Sequence, residues 1–274
     1  MRTLVVLVVL WFAASAVQAQ QKVIRVKGSD TMLPLSQKEA DEFMKNNKDW
    51  KVIVNGGGSV TAVSALLSDD ADLGMMSRSM KAEEKLKFQQ QEKKLVEIII
   101  GFDALAVIVN PQNRVDKLTI EQIEAIFTGT IDNWKQLGGE DKKIIAVSRE
   151  ASSGTYGFFK EHVLRDKEYG STVLLMPNTE SIVDIVAQTP GAIGYVGLAY
   201  VESKVKTVAV SNDNGKTFFS PNVDNCKNHK YPISRPLFYY YIDSKESLVK
   251  PFIQYVLSDA GQRNILLVGY VPLK

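Results

Sequence analysis

A single cysteine and only two histidines in 274 residues remove whole classes of chemistry from this chain. The lone Cys226 has no partner for an intrachain disulfide and cannot build a thiolate metal cluster. His162 and His229 stand far apart, with no carboxylates at ligand spacing, so no metal site and no cofactor is read from them. There is no G-x-S-x-G to set a strained serine beside an imidazole, which argues against a serine hydrolase and, with the missing metal ligands, against an enzyme. Both histidines read as surface side chains, and Cys226 as an incidental thiol in an Asn/Lys/His loop. Excess charge is missing too. The net charge is +2, from 33 basic and 31 acidic residues interspersed along the chain. That balance makes no field for nucleic acid or an acidic membrane, so any anion site must be local. Asp69, Asp70 and Asp72 lack the glycine and terminal glutamate of an EF-hand and read as a solvated turn. Gly215-Lys216-Thr217 lacks the upstream glycine of a P-loop, Val210 standing in its place.

Long apolar runs are equally scarce. The one at Leu4–Phe12 follows Arg2 and precedes Val17-Gln18-Ala19, the pattern of a cleavable secretory signal with cleavage after Ala19; an uncleaved anchor is the alternative. No later stretch reaches transmembrane length, and no cysteine adjoins the cleavage site to carry a lipid. The expectation is a protein free in a periplasm. Its length allows one large or two medium domains.

What is present is one pattern used three times: a β-branched run, a small polar loop, then helical periodicity. Val23–Val26 leads through Gly28-Ser29-Asp30-Thr31 to a helix with Ala40 and Phe43. Val52–Val54 leads through Asn55-Gly56-Gly57-Gly58-Ser59 to a helix with Val63, Leu66 and Leu67. Ile144–Val147 leads through Ser148–Thr155 to a helix with Tyr156, Phe159 and Val163. Such units build open α/β sheets, whose ligands sit beyond the carboxyl ends of the strands. There the helix N-termini offer unpaired N–H groups and a positive dipole end, suited to an anion. The apolar run Glu97–Val109 reads as a strand crossing between two lobes, and Tyr231–Pro236 followed by Leu237–Ile242 as a second crossing. Ile120–Phe127 and Ile182–Val186 read as helical, and a final helix runs from Ser244 through Phe252, Tyr255 and Val256.

Each loop admits two readings. In Arg149-Glu150-Ala151-Ser152-Ser153-Gly154-Thr155 the arginine can pair bidentately with an oxyanion, the hydroxyls can donate and the glycine permits close approach; an ordinary helix cap beside a surface arginine is the alternative. Gly56–Ser59 fails as a dinucleotide loop because Thr61 replaces the third glycine. Ser59, Ser29 and Asp30 could likewise be simple caps. The joint occurrence of all three loops after strands weakens the capping reading and favours a bound anion.

The motifs Gly28–Leu35, Gly57-Gly58-Ser59, Asp72–Arg78, Ile126–Gly129 with Asn133-Trp134, Ser148–Thr155 and Tyr231–Pro236 resemble, in order and over nearly the whole mature chain, the phosphate-binding component of phosphate ABC transporters. The resemblance implies a two-lobed periplasmic binding protein of type II, each lobe a mixed, mostly parallel sheet flanked by helices. Two crossing strands would act as hinge. Lobe 1 would comprise residues 22–104 and 236–274, and lobe 2 residues 105–235. It further implies a monomer that holds dehydrated inorganic phosphate and delivers it to transmembrane permease subunits. The ligand residues carried over are Ser29, Asp30, Thr31, Ser59, Ser77, Arg78, Arg149, Ser153, Gly154 and Thr155. One departure matters. The family's best-known members carry an aspartate in the third loop, where Ser77-Arg78 stands here, and a hydroxyl residue where Asp30 stands. A buried carboxylate that accepts the ligand's proton separates phosphate from sulfate. Asp30 is the first candidate for that acceptor and Glu150 the second, unless Glu150 orients Arg149. Arg78 either touches the ligand or pairs with a carboxylate at the rim. Another tetrahedral oxyanion (sulfate, molybdate or tungstate) is the alternative ligand, and a secreted phosphatase or phosphate sensor the alternative function.

Overall fold

The computed structural model describes residues 21–273; the apolar segment and the Ala19 cleavage site lie outside them. No helix among the described residues is long and apolar enough to cross a membrane. The first lobe opens with β1 (Lys22–Gly28), α1 (Leu33–Asn46, entered through a 3-10 turn at Asp30–Met32), β2 (Trp50–Asn55), α2 (Ser59–Leu67), β3 (Leu73–Met76) and α3 (Ala82–Gln90). β1 pairs in parallel with β2 on one side and β3 on the other. Its alternation buries Ile24 and Val26 on the core face, as a period of two requires. It ends on Gly28, where φ is +142° and a Cβ would lie 2.1 Å from the Met75 carbonyl oxygen. Only glycine allows the first loop to turn that close to β3.

The chain then crosses. β4 (Leu95–Val109) belongs to both lobes: Leu95–Ala104 pairs with the first sheet, and Leu105–Val109 with the second. The second lobe follows as β5 (Lys117–Thr119), α4 (Ile120–Phe127), β6 (Ile145–Arg149), α5 (Gly154–His162), β7 (Leu174–Met176), α6 (Thr179–Gln188), β8 (Ala192–Gly197), β9 (Lys206–Thr207), β10 (Ala209–Ser211) and α7 (Val223–Lys227). β6 lies parallel to both β7 and β8. The return strand β11 (Ser234–Ile242) pairs antiparallel with β3 and β4 and leads to α8 (Glu246–Leu257) and α9 (Asp259–Val268). The fold is thus α/β and two-lobed, joined by β4 and β11. Each lobe buries its own core. Ile24, Val26, Met75, Tyr239 and Phe252 pack in the first, and Ile123, Phe127, Phe159 and Tyr195 in the second. Where the strands cross, Asp103 stands opposite Arg235, and the arginine donates to Asp103 Oδ2 from Nε at 3.1 Å and from Nη2 at 2.8 Å.

Two sequence expectations need correction, and one helix lies beyond those expected. The helix expected from Ser244 is α8, and the additional one is α9, which starts where Ser258 ends α8 and accepts the Gly261 N–H as its cap. Asp72 is not solvated; it is buried and forks onto Arg25 at 2.9 and 3.0 Å. Burial alone would raise its carboxyl, but these bonds outweigh burial and hold it below the ordinary range. Cys226 sits on a short helix inside the second core, where burial pushes its thiol up. Its surroundings are apolar packing, not a polar loop. The glycine-lysine-threonine turn closes on Asp213, which accepts from Lys216 N, Thr217 N and Thr217 Oγ1. His162 and His229 are exposed, with His162 stacked 4.1 Å from Phe158.

Candidate functional site

The loops after β1, β2, β3 and β6 meet where the two lobes face each other. Within the first lobe, the Asp30 carboxylate accepts the Gly57 N–H at 2.7 Å, so the second loop is tied to the first. Ser29 Oγ donates to Ser77 Oγ at 2.9 Å, and Ser77 N–H donates to Ser59 Oγ at 3.2 Å. None of these hydroxyls caps a helix. Gly58, at φ +90°, is the residue before α2, and Ser59 is its first helical residue. On the far side Ser153 does cap α5, accepting from Thr155 N at 3.1 Å and Tyr156 N at 3.4 Å. The two readings of each loop therefore separate: Ser153 is a cap, whereas Ser29, Asp30 and Ser59 bridge loops.

Across the cleft, Arg149 Nη2 donates to Asp30 Oδ2 at 2.5 Å. The guanidinium is held from behind by Thr179 Oγ1 at 3.0 Å, the Pro177 carbonyl at 2.9 Å and the Met176 carbonyl at 3.3 Å. Its side chain is 2 % exposed and that of Asp30 12 %. Charges so deeply placed are tolerated only when paired and hydrogen-bonded. Thr31 Oγ1 lies 2.7 Å from Thr155 Oγ1, and Val60 N–H donates to the Ser152 carbonyl at 3.1 Å. Gly154 approaches so closely that a Cβ there would fall 2.1 Å from Ser59 Oγ and 2.8 Å from Ser77 Oγ. The result is a ring of hydroxyls and helix N-termini around one neutralised Asp–Arg pair, an arrangement that suits a compact oxyanion.

Two of the candidates take other places. Arg78 is buried and forks onto Glu84 at 2.6 and 2.8 Å, with a third bond to the Ser79 carbonyl at 2.9 Å. Burial alone would raise the Glu84 carboxyl, but Arg78 and the Lys81 N–H outweigh it and hold it below its ordinary value. Arg78 is therefore the partner of a carboxylate. Glu150 is exposed, and among the described residues no hydrogen bond joins it to Arg149. The idea that Glu150 orients Arg149 is overturned, because the β7–α6 turn and Asp30 do so. Three site neighbours escaped sequence reasoning. Thr179 had a signal: Asn178 caps α6 by accepting the Ser181 N–H, a recognisable start placed to follow an α/β strand. Tyr200, whose hydroxyl donates to the Asp30 carbonyl at 2.6 Å, and Tyr270, which donates to the Thr31 carbonyl, had none.

The family model described as a PBP superfamily domain matches residues 13–260. The phosphate-binding protein PstS of Pseudomonas aeruginosa is 35% identical over 263 residues, covering 90% of this chain and 81% of that protein. The chain belongs to the PBP superfamily, among the PstS-like phosphate-binding proteins. A second member of this family, the PstS of Bacillus subtilis, is 33% identical over 251 residues, covering 91% of this chain and 80% of that one. In three dimensions, a phosphate ABC transporter substrate-binding protein from Clostridium perfringens, solved with bound phosphate, superposes with a TM-score of 0.85. That pair shares 31% identity and covers 92% of this chain and 100% of the other. The relatives are binding proteins, not enzymes.

Proposed function

We propose that this chain is an exported receptor that captures inorganic phosphate between its lobes and passes it to the permease subunits of an ABC transporter, without covalent chemistry. The observation that carries the reading is the buried Asp30–Arg149 pair, made between lobes and ringed by Ser29, Thr31, Ser59, Ser77, Ser153, Gly154 and Thr155. Arg149 supplies charge to the anion, and the hydroxyls and the N-termini of α2 and α5 supply dipoles. Asp30 accepts the proton that phosphate keeps near neutral pH. Sulfate, fully ionised, would set its charge against that carboxylate with no hydrogen to offer. The lobes, residues 22–104 with 236–274 and residues 105–235, act as rigid bodies about the two crossing strands. The protein works as a monomer in a periplasm, with residues 1–19 removed as its export signal.

Titration calorimetry of ligand-stripped protein tests this. Phosphate should bind far more tightly than sulfate, and Asp30→Asn should erase most of that difference. Equal affinities in the native protein would rule the reading out. A second reading, another tetrahedral oxyanion, draws support from the third loop, where Ser77 and an Arg78 already bound to Glu84 stand in place of a carboxylate. Tighter binding of molybdate or sulfate in the same experiment would favour it.

A further inference from the structure

Two successive carbonyls of the first loop each accept a buried tyrosine hydroxyl, and the two tyrosines come from different lobes. Tyr200 follows β8 and packs in the second lobe with Val147, Ile182 and Val196; its hydroxyl reaches the Asp30 carbonyl at 2.6 Å. Tyr270 follows α9 and packs in the first lobe with Ile24, Met32 and Phe252; it reaches the Thr31 carbonyl. Asp30 is consequently held from the second lobe at both ends, its carbonyl by Tyr200 and its carboxylate by Arg149. The Asp30 carbonyl also accepts the Leu33 N–H, so it keeps a partner when the tyrosine hydroxyl is removed.

We propose that Tyr200 is a positioning residue for the anion grip. Closure brings its hydroxyl onto the Asp30 carbonyl, fixing the backbone that aims the Asp30 carboxylate, whereas Tyr270 makes a matching bond within one lobe that persists whether the lobes are open or closed. The inference rests on the phosphate-receptor reading above. A bond present only in the closed state lengthens residence of the ligand and leaves encounter untouched. A bond within one lobe stabilises both states alike.

The test is Tyr200→Phe beside Tyr270→Phe, each measured by stopped-flow phosphate binding and by thermal unfolding with and without phosphate. Tyr200→Phe should raise the dissociation rate about 3- to 10-fold, the worth of one net hydrogen bond. Its association rate should stay within about twofold, and its Tm should drop only when phosphate is present. Tyr270→Phe should lower Tm equally in both conditions and change dissociation less. An unchanged dissociation rate in Tyr200→Phe, or an equal Tm loss without phosphate, overturns the proposal. If the native protein ignores phosphate, the ligand assignment fails separately, and the same ratio measured with sulfate or molybdate decides the role of Tyr200. Binding of none of the three overturns both.

Discussion

Two buried aspartate–arginine pairs lie at the junction of the lobes, and their difference separates architecture from function. Asp103 and Arg235 face each other across adjacent strands and are wholly buried; Asp103 Oδ1 also accepts the Leu198 N–H, and the guanidinium stacks 5.5 Å from the Phe158 ring. That pair is fixed by the register of β4 and β11. Asp30 and Arg149 use the same chemistry but sit on loops of opposite lobes, so they meet only where the lobes meet. Burial and charge alone do not distinguish the structural pair from the one proposed to grip the ligand. The element that carries each partner does.

The comparison breaks most sharply with one substitution on each side. Arg235→Met leaves Asp103 buried and unpaired and should cost about 3–5 kcal/mol of stability, read as a lower urea midpoint, while stripped protein that still folds keeps its phosphate affinity within about tenfold. Arg149→Met should do the reverse, weakening phosphate by about 100-fold or more with a smaller change in midpoint. Equal effects of both on binding would erase the distinction.

A third buried acid sharpens the contrast, because it forms no ion pair among the described residues. Among the described residues, Glu39 on α1 accepts only from Asn264 Nδ2, at 3.2 Å, and its Oε1 has no partner. Burial pushes its carboxyl up to about 8, against an ordinary 4.5, with the Asn264 bond opposing. The folded state therefore keeps a proton that the unfolded chain releases. The stability this gives is full below about pH 4.5 and falls as pH rises towards about 8, by at most about 1.4 kcal/mol per unit. Glu39→Gln should flatten that decline in a series of unfolding curves from pH 5 to 8. An unchanged slope would show that Glu39 is ionised in the fold.

The smallest expected effect concerns Arg78, whose Cδ and Nε would lie 3.3 and 3.4 Å from a Cβ at Gly157, on the facing helix α5. Gly157→Ala should stabilise the ligand-free protein by about 0.5–1 kcal/mol through helix propensity yet weaken phosphate severalfold by crowding the closed cleft. A Tm that rises together with affinity would show that Arg78 yields without cost.

Much of this molecule could be read from local pattern. The strands at β1, β2 and β6 and the crossing runs announce themselves through β-branched residues, and Ser148–Thr155 carries both an arginine and a cap. α9 was lost because Ser258 interrupts a pattern that otherwise continues, and a one-residue break between helices carries little periodic signal. The environment of Asp72 was misread because its neighbours Asp69 and Asp70 suggest solvent, whereas the partner that buries it, Arg25, lies 47 residues away. Tyr200 and Tyr270 look like core aromatics in sequence, since only their hydroxyls, at the far end of an apolar ring, reach the site.

The order of residues by itself determined that this chain has α/β units with polar loops at strand ends, no intrachain disulfide, and loops whose hydroxyls and N–H groups suit an anion. Those follow from periodicity, capping and composition, which act over a few residues. Tertiary structure alone decided which charges pair: Asp30 with Arg149 across 119 positions, Arg78 with Glu84 in place of a ligand, Glu150 with solvent. Pairing of buried charges depends on distances and desolvation that exist only after distant loops converge, and that convergence is set by the packing of two cores rather than by any one motif.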